Sequence, residues 1–418
     1  MFLAKDQDWA FLVLTASAFC MGFSMPTGRL FMLAAAVLLA VDVAKHRRRL
    51  RMPATAWLWL ALVALAVVVT ANGLNPAKGM GKLDKLMWFM GIPVAASIVD
   101  SRGRLWQVLR ALILGLAVLA LRVCIRNPLN AQAISTRFEG TGVAANFRFG
   151  QELIFQGSLV DGQRLMVGLV GAVALTMGSL ALARMGSRKV QVTVQGEPAD
   201  GGPACRPVCF RIWIWPILIG ALAVAEILVM KRGSWLSSLL LLAVLLGRRL
   251  NGKWMVLGVV VLAGLAVGVA PIRQRLTHLR TEFSVASGGR LAMWTQVAPK
   301  LLKEYPQGIG FRAMSNDLMR KIAPRIERNR DHLHSNFVEM AVSLGWAGLA
   351  LYLVWMGCLL RDGIGSDAAP RPIFWMILAL FINGFVEYNF ADGEIVILMG
   401  LLGGLAAAGR RLARSPAV

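Results

Sequence analysis

Charge is scarce in this chain: 16% of its 418 residues are Asp, Glu, Lys or Arg, while 57% are hydrophobic and the mean hydropathy is +0.62. That balance excludes a string of soluble domains and points to many segments buried in lipid. Metal ligands are also sparse. The five cysteines, Cys20, Cys124, Cys205, Cys209 and Cys358, form no ligand set. Cys205 and Cys209 share a loop with no nearby histidine, and the rest sit singly in or beside apolar segments, so a zinc site is not expected. No small-residue cleavage site follows the first apolar segment, Trp9 to Phe23, which therefore reads as a retained membrane helix. There is no repeat of twenty to fifty residues and no low-complexity tract. Ser234 and Ser335 lack the strand–turn–helix context of a hydrolase nucleophile.

What the chain does contain is apolar runs, at roughly residues 9–25, 30–44, 55–72, 86–100, 106–122, 164–183, 212–230, 234–247, 254–270, 336–359, 373–389 and 393–408. They predict an all-α, polytopic membrane protein of about twelve helices. Lys and Arg gather in alternate short links: Lys45 to Arg49, Arg102 and Arg104, Arg184 to Lys189, Arg248 with Lys253, Arg361 with Arg371, and Arg410 to Arg414. The opposite links, Met25 to Gly28 and Tyr388 to Glu394, have none. The positive-inside rule then puts both termini in the cytoplasm. The organisation expected is nine helices over 1–270 with a Gly/Pro-rich cytoplasmic linker at 184–211, an outward-facing loop over 271–335, and three helices with a cytoplasmic tail over 336–418.

The net charge of +23 is unusual beside such greasiness, and the 271–335 loop carries part of it: twelve Lys and Arg against five acids. A basic loop on the outer side implies an anion there, such as a lipid phosphate, a pyrophosphate or a charged saccharide, or else a solvated basic face. Leu291, Trp294, Val297 and Leu301, and then Met314, Leu318 and Ile322, have helical spacing. They predict two amphipathic helices, ended by Tyr305-Pro306 and Ala323-Pro324. Gly308 and Gly310 between them permit a close backbone approach and are candidate substrate-binding positions, as is the basic residue after them, Arg312.

Three outer-face residues carry most of the candidate chemistry. His334 immediately precedes an apolar helix, where the helix N-terminus and partial desolvation both disfavour imidazolium. The neutral ring is then available as a general base at about pH 7. The structural alternative is a loop histidine that caps the helix. Arg232, beside Lys231, breaks two apolar helices on the side where the positive-inside rule disfavours cations, so the pair is either compensated, with Glu226 the acid expected against Lys231 or Arg232, or used. Arg290 follows two glycines one helical turn before Trp294, and its structural alternative is a snorkelling interfacial residue. Brought together, two arginine forks and a base bind a pyrophosphate and deprotonate an acceptor. No Asp-x-Asp motif stands in an outer loop, so arginine is expected in place of a divalent cation, with no metal and no cofactor.

The stretches Lys231-Arg232-Gly233-Ser234-Trp235, Gly289-Arg290-Leu291-Ala292-Met293-Trp294, Pro306-Gln307-Gly308-Ile309-Gly310-Phe311 and His334-Ser335-Asn336 through Gly345 to Gly348 resemble, in this order, the motifs of the O-antigen ligase family. That family belongs to a larger group with O-antigen polymerases and protein O-oligosaccharyltransferases. Lys231 departs from the pattern, standing where the family has Ser. The resemblance spans about residues 212–360 and implies a GT-C-like inner-membrane glycosyltransferase with a periplasmic active site. It further implies an undecaprenyl-pyrophosphate-linked O-antigen as donor, a lipid A-core hydroxyl as acceptor, no nucleic acid, no metal, and inversion at the anomeric carbon. Carried over by motif, Arg232 and Arg290 bind the leaving pyrophosphate and His334 activates the acceptor. Lys231 adds to phosphate binding, and His332 assists or shares the proton.

Two other readings remain open at this level. A polymerase or protein O-glycosyltransferase differs only in acceptor. A transporter or flippase of a lipid-linked anionic saccharide calls for ionisable residues deep in several helices. Here these are few, mainly Glu226, with Glu339 and Glu387 near helix ends.

Overall fold

The computed structural model describes residues 8–138, 161–177, 214–229, 231–247, 283–285, 289–324, 332–365, 371–390 and 392–414, with five isolated positions between 253 and 277. Regular structure among the described residues is entirely helical. The helices are α1 (Trp9–Phe23), α2 (Met25–Ala44), α3 (Ala54–Ala71), α4 (Pro76–Met80), α5 (Asp84–Met87), α6 (Gly91–Ile98), α7 (Arg102–Phe138) and α8 (161–177). They continue with α9 (Ile214–Val229), α10 (Arg232–Gly247), α11 (Arg290–Ala292), α12 (Ala298–Glu304), α13 (Asn316–Ile322), α14 (Asn336–Gly365), α15 (Pro372–Asn383) and α16 (Gly393–Arg414).

Five of these, α2, α3, α7, α14 and α16, have the length and apolarity to cross a membrane, and α1, α9, α10 and α15 are shorter apolar helices. Their outer faces identify the solvent. On α2 Met32, Ala35 and Leu39 are buried, while Leu30 and Val37 on the other side are 64% and 62% exposed. A helix apolar all round is stable only where its outer face meets lipid. Close crossings hold the bundle together, since apolar burial gives helices in lipid little reason to associate. At the α1–α7 crossing the backbones touch, and a Cβ on Gly22 or Gly115 would overlap the other helix's main chain.

The connections sort to two ends. At one, Arg48 pairs with Asp8 and donates to the Ile98 carbonyl, Arg104 pairs with Asp8 and Asp100, Arg410 pairs with Asp362, and Arg411 donates to the carbonyls of Ala96 and Val99. At the other, Arg164 of α8 donates to the carbonyls of Met21 and Gly22 and pairs with Glu394, and Lys78 donates to the Met314 carbonyl. The candidate residues all belong to this second end.

Here α14 is broken. Gly345 has φ +70° and ψ −173°, which interrupts the helix and leaves the carbonyls of Val342 and Ser343 without helical donors. The Pro306-Gln307-Gly308-Ile309-Gly310 turn fills the break. The N–H groups of Ile309 and Gly310 donate to Val342 and Ser343, each at 3.0 Å, so both of these carbonyls are paired at the break. Gly308, at φ +99°, lies so close that a Cβ would stand 2.6 Å from the Gly345 nitrogen. The turn also reaches α3: Leu74 N–H donates to the Ile309 carbonyl at 2.9 Å, and Phe311 N–H to Thr70 Oγ1 at 2.9 Å.

Several expectations change in detail. The run at 86–100 is not one span: α5, a 3₁₀ turn at Trp88–Met90 and α6 divide it, with α6 against α16. Both amphipathic loop helices form and stop where Tyr305-Pro306 and Ala323-Pro324 predicted, but a π-helical turn, Met293–Val297, separates α11 from α12. The run at 254–270, the linker at 184–211 and most of the 123–163 connection lie outside the described residues, as do His278 and residues 325–331.

Candidate functional site

Four chain segments meet at the second end: the α9–α10 break, the start of α11, the turn before α14, and the α15–α16 link. The link is the scaffold. Asn336, the first residue of α14, is fully buried and stitches it in place. Its N–H donates to the Gly384 carbonyl at 2.8 Å and its Nδ2 to Asn389 Oδ1 at 2.6 Å, while its Oδ1 accepts from the N–H groups of Asn389 and Phe390 at 2.9 and 3.1 Å. Asn389 continues to Asn383, which also accepts from Gln163 of α8 at 3.0 Å. Below, Phe390 packs on Phe89, Tyr352 and Trp355, with centroids 5.2, 5.2 and 5.7 Å away. A buried polar network with most of its amide groups paired, on an aromatic floor, makes a link rigid enough to aim charges.

The charges it aims are Glu387 and Asp392. Arg290, at the head of α11, donates through Nη1 to the Val386 carbonyl and through Nη2 to Glu387 Oε1 at 3.2 Å. Lys231 Nζ lies 3.8 Å from Glu387 Oε2, with its side chain 8% exposed. Glu387, not Glu226, is therefore the counter-charge of Lys231; the Glu226 carboxylate accepts from Ser238 Oγ at 2.7 Å. Burial pushes the Glu387 pKa up, but the charges of Lys231 and Arg290 and the Arg290 hydrogen bond outweigh it and hold the carboxyl below its ordinary value. Two cations thus share one carboxylate. Arg290 Nε and Ser234 Oγ are buried and have no hydrogen-bond partner among the described residues. Arg232 opens α10, and the adjacent Gly233 lies so close to the link that a Cβ there would stand 3.0 Å from Glu387 Cγ.

A second basic group faces the same link. Arg312 Nη2 is 3.7 Å from Asp392 Oδ1, and its guanidinium lies 5.6 Å from the Tyr388 ring centre. Burial raises the pKa of Asp392 against the opposing pull of Arg312, Lys231 and Lys85; burial, and then Arg312, lowers that of Lys85. Arg312 itself has φ +51°, in the left-handed region, directly after the glycine turn.

His334 also has φ +51°, so the turn into α14 is held in a conformation that costs an ordinary residue on the order of 1 kcal/mol or more. Its ring centre is 4.2 Å from that of His332, which is 5.8 Å from Tyr388. Hence Lys231, Arg290, His332, His334 and Arg312 all border one link, and Arg232 stands next to a residue in contact with it. Gly308 and Gly310 are engaged in the α14 break, behind this cluster. Sequence reasoning missed Tyr388, Asp392, Asn336 and Asn389 and gave Glu387 no partner, because the pairing of Glu387 with Arg290 joins positions almost a hundred residues apart. Among the described residues no three His, Cys, Asp or Glu side chains gather as a metal site.

Residues 217–353 match a protein family described as O-Antigen ligase. The match takes in the α9–α10 break, Arg290, the glycine turn and His334, and it ends before the α15–α16 link. No curated protein matches the chain.

Proposed function

We propose that this chain, whose residues 217–353 match a family described as O-Antigen ligase, is a membrane glycosyltransferase of lipopolysaccharide biosynthesis. It transfers O-antigen polysaccharide from undecaprenyl pyrophosphate to a hydroxyl of lipid A-core. The reaction takes place at the periplasmic face of the bacterial inner membrane, with no metal and with inversion. The observation that carries this reading is the excess of positive charge beside the histidine pair. Lys231 and Arg290 face one carboxylate among the described residues, Arg232 follows Lys231 in the chain, and His332, whose ring stands 4.2 Å from that of His334, lies by Tyr388 of the same link. Such a surface attracts a diphosphate, whose charge grows as it leaves.

In the proposed step the acceptor oxygen attacks the anomeric carbon as the bond from that carbon to the pyrophosphate oxygen breaks. The hydroxyl proton passes to the His334 imidazole, and the electron pair departs with the polyprenyl pyrophosphate toward Arg232, Arg290 and Lys231. The planar arginine forks hold the leaving group bidentately, and Lys231 adds a point charge. A positioned base contributes about 10²–10⁴-fold.

The test is transfer by the purified protein from a polyprenyl-pyrophosphate glycan to purified lipid A-core, with and without chelator. The expected result is ligated product at the same rate in both, reduced by about 10²-fold or more in His334→Ala. Elongation of the glycan on its own carrier in place of transfer would instead make the protein a polymerase. Loss of activity in chelator would overturn the arginine reading.

A further inference from the structure

The backbone between the two histidines is held from both sides by side chains of other elements, Glu339 of α14 and Trp294 of the π-helical turn after α11. Leu333, whose side chain is fully buried, donates its N–H to Glu339 Oε2 at 2.8 Å, and its carbonyl accepts from Trp294 Nε1 at 2.7 Å. Glu339, itself 1% exposed, also accepts from Ser343 Oγ at 3.2 Å, and the Ser343 carbonyl is the one that Gly310 N–H pairs at the α14 break. Trp294 lies in the π-helical turn one helical turn after Arg290 and packs edge-on against Phe283, at 6.1 Å. A continuous path of hydrogen bonds thus runs from the glycine turn through Ser343 and Glu339 to Leu333, and on to the helix that begins with Arg290.

We propose that Trp294 and Glu339 are positioning residues. Together they clamp the Leu333 peptide, fix the left-handed turn at His334, and set the distance of the histidine pair from Arg290. The physical need is plain. A non-glycine residue with φ +51° relaxes to an ordinary conformation unless its neighbours over-determine it. The Leu333 N–H and carbonyl are the groups on which such constraint can act, immediately before the strained residue. The clamp also ties the turn to the π-helical turn that continues α11, so the base and the cation move together. This inference rests on the proposed role of His334 for its catalytic consequence, but not for the clamp itself.

The experiment uses the full-length protein in detergent with three variants: Trp294→Phe, which keeps the ring and loses the indole N–H, Glu339→Ala, and Glu339→Gln, which keeps an acceptor for Leu333. Modification of His332 and His334 by diethyl pyrocarbonate, followed site by site by mass spectrometry, reads the turn without any reaction. Transfer kinetics read its consequence. Faster labelling of both histidines in Trp294→Phe and Glu339→Ala, with Glu339→Gln close to wild type, is the expected pattern. The same two variants should lose kcat by on the order of 10²-fold with little change in KM for the donor. Trp294→Phe placed on His334→Ala should add no further loss, because it acts through the histidine. Unchanged labelling in both clamp variants would overturn the proposal, and so would a full additional loss in the double variant. If His334→Ala alone keeps full activity, the functional reading fails while the labelling still decides on the clamp.

Discussion

Glu387 is the residue on which the electrostatics of the site turn. Its carboxyl is held below the usual carboxylate range by Lys231 and Arg290 in spite of burial. An acid whose pKa is depressed in the fold stabilises it at all pH above the unfolded value, and that contribution is lost as pH falls through the folded one. From this group, then, the melting temperature in detergent should be level between about pH 8 and about pH 5 and should decline below about pH 4. Glu387→Gln leaves two buried cations without their counter-charge, which typically costs about 3 kcal/mol. It should lower the melting temperature at neutral pH and flatten the acid limb. An unchanged acid limb in the variant would show that another carboxylate produces it. In the sequence Glu387 was visible only as an acid near a helix end. Nothing local announces that an arginine far upstream will reach it, whereas Arg232, Arg290 and His334 stood out because cations on the outer side and a histidine directly before an apolar helix are locally improbable.

At the scale of elements, the joint between the glycine turn and the α14 break holds the second end of the bundle together. Both loop helices and their proline stops were legible, since periodicity and helix breakers are local signals. The break at Gly345 was not. The run from 336 to 359 is mostly apolar and holds three glycines, Gly345, Gly348 and Gly357, so Gly345 alone is weak evidence when the donors that satisfy the broken backbone come from a turn some thirty-five residues earlier. The joint predicts a contrast between glycines. In Gly308→Ala the new methyl group meets α14 main chain 2.6 Å away at a φ of +99°, so both packing and backbone resist it. A loss of about 2–4 kcal/mol is expected, seen as a marked drop in melting temperature or in folded yield. Gly220→Ala in α9, where no described residue outside the helix's own backbone comes within 4 Å of the new atom, should change stability by less than about 1 kcal/mol. Equal behaviour of the two variants would mean that the turn does not enter the break.

For the whole molecule, what matters is which end faces which compartment. The number of spans was legible only as far as hydropathy carries: α2, α3, α7, α14 and α16 meet the length for crossing, while the run at 86–100 turned out divided because Trp88 to Gly91 packs against Gly400 and its neighbours in α16. The distribution of Lys and Arg is the physical basis for orientation, and the fold adds that the links of alternate helices do gather at two separate ends. One end holds Arg48, Arg104, Arg410 and Arg411 bound to carboxylates and carbonyls of neighbouring helix ends, and the other holds the candidate site. If the positive-inside rule governs this chain, the first end is cytoplasmic and the site opens outward. In a background without native cysteines, Gln307→Cys, exposed beside the glycine turn, should react with a membrane-impermeant maleimide in intact cells with their outer membrane opened. Arg47→Cys, exposed in the α2–α3 link, should react only once the inner membrane is also permeabilised. The reverse pattern would place the histidine pair and its cations in the cytoplasm, where a lipid-linked donor displayed on the outer leaflet could not reach them, and the proposed transfer would fail with it.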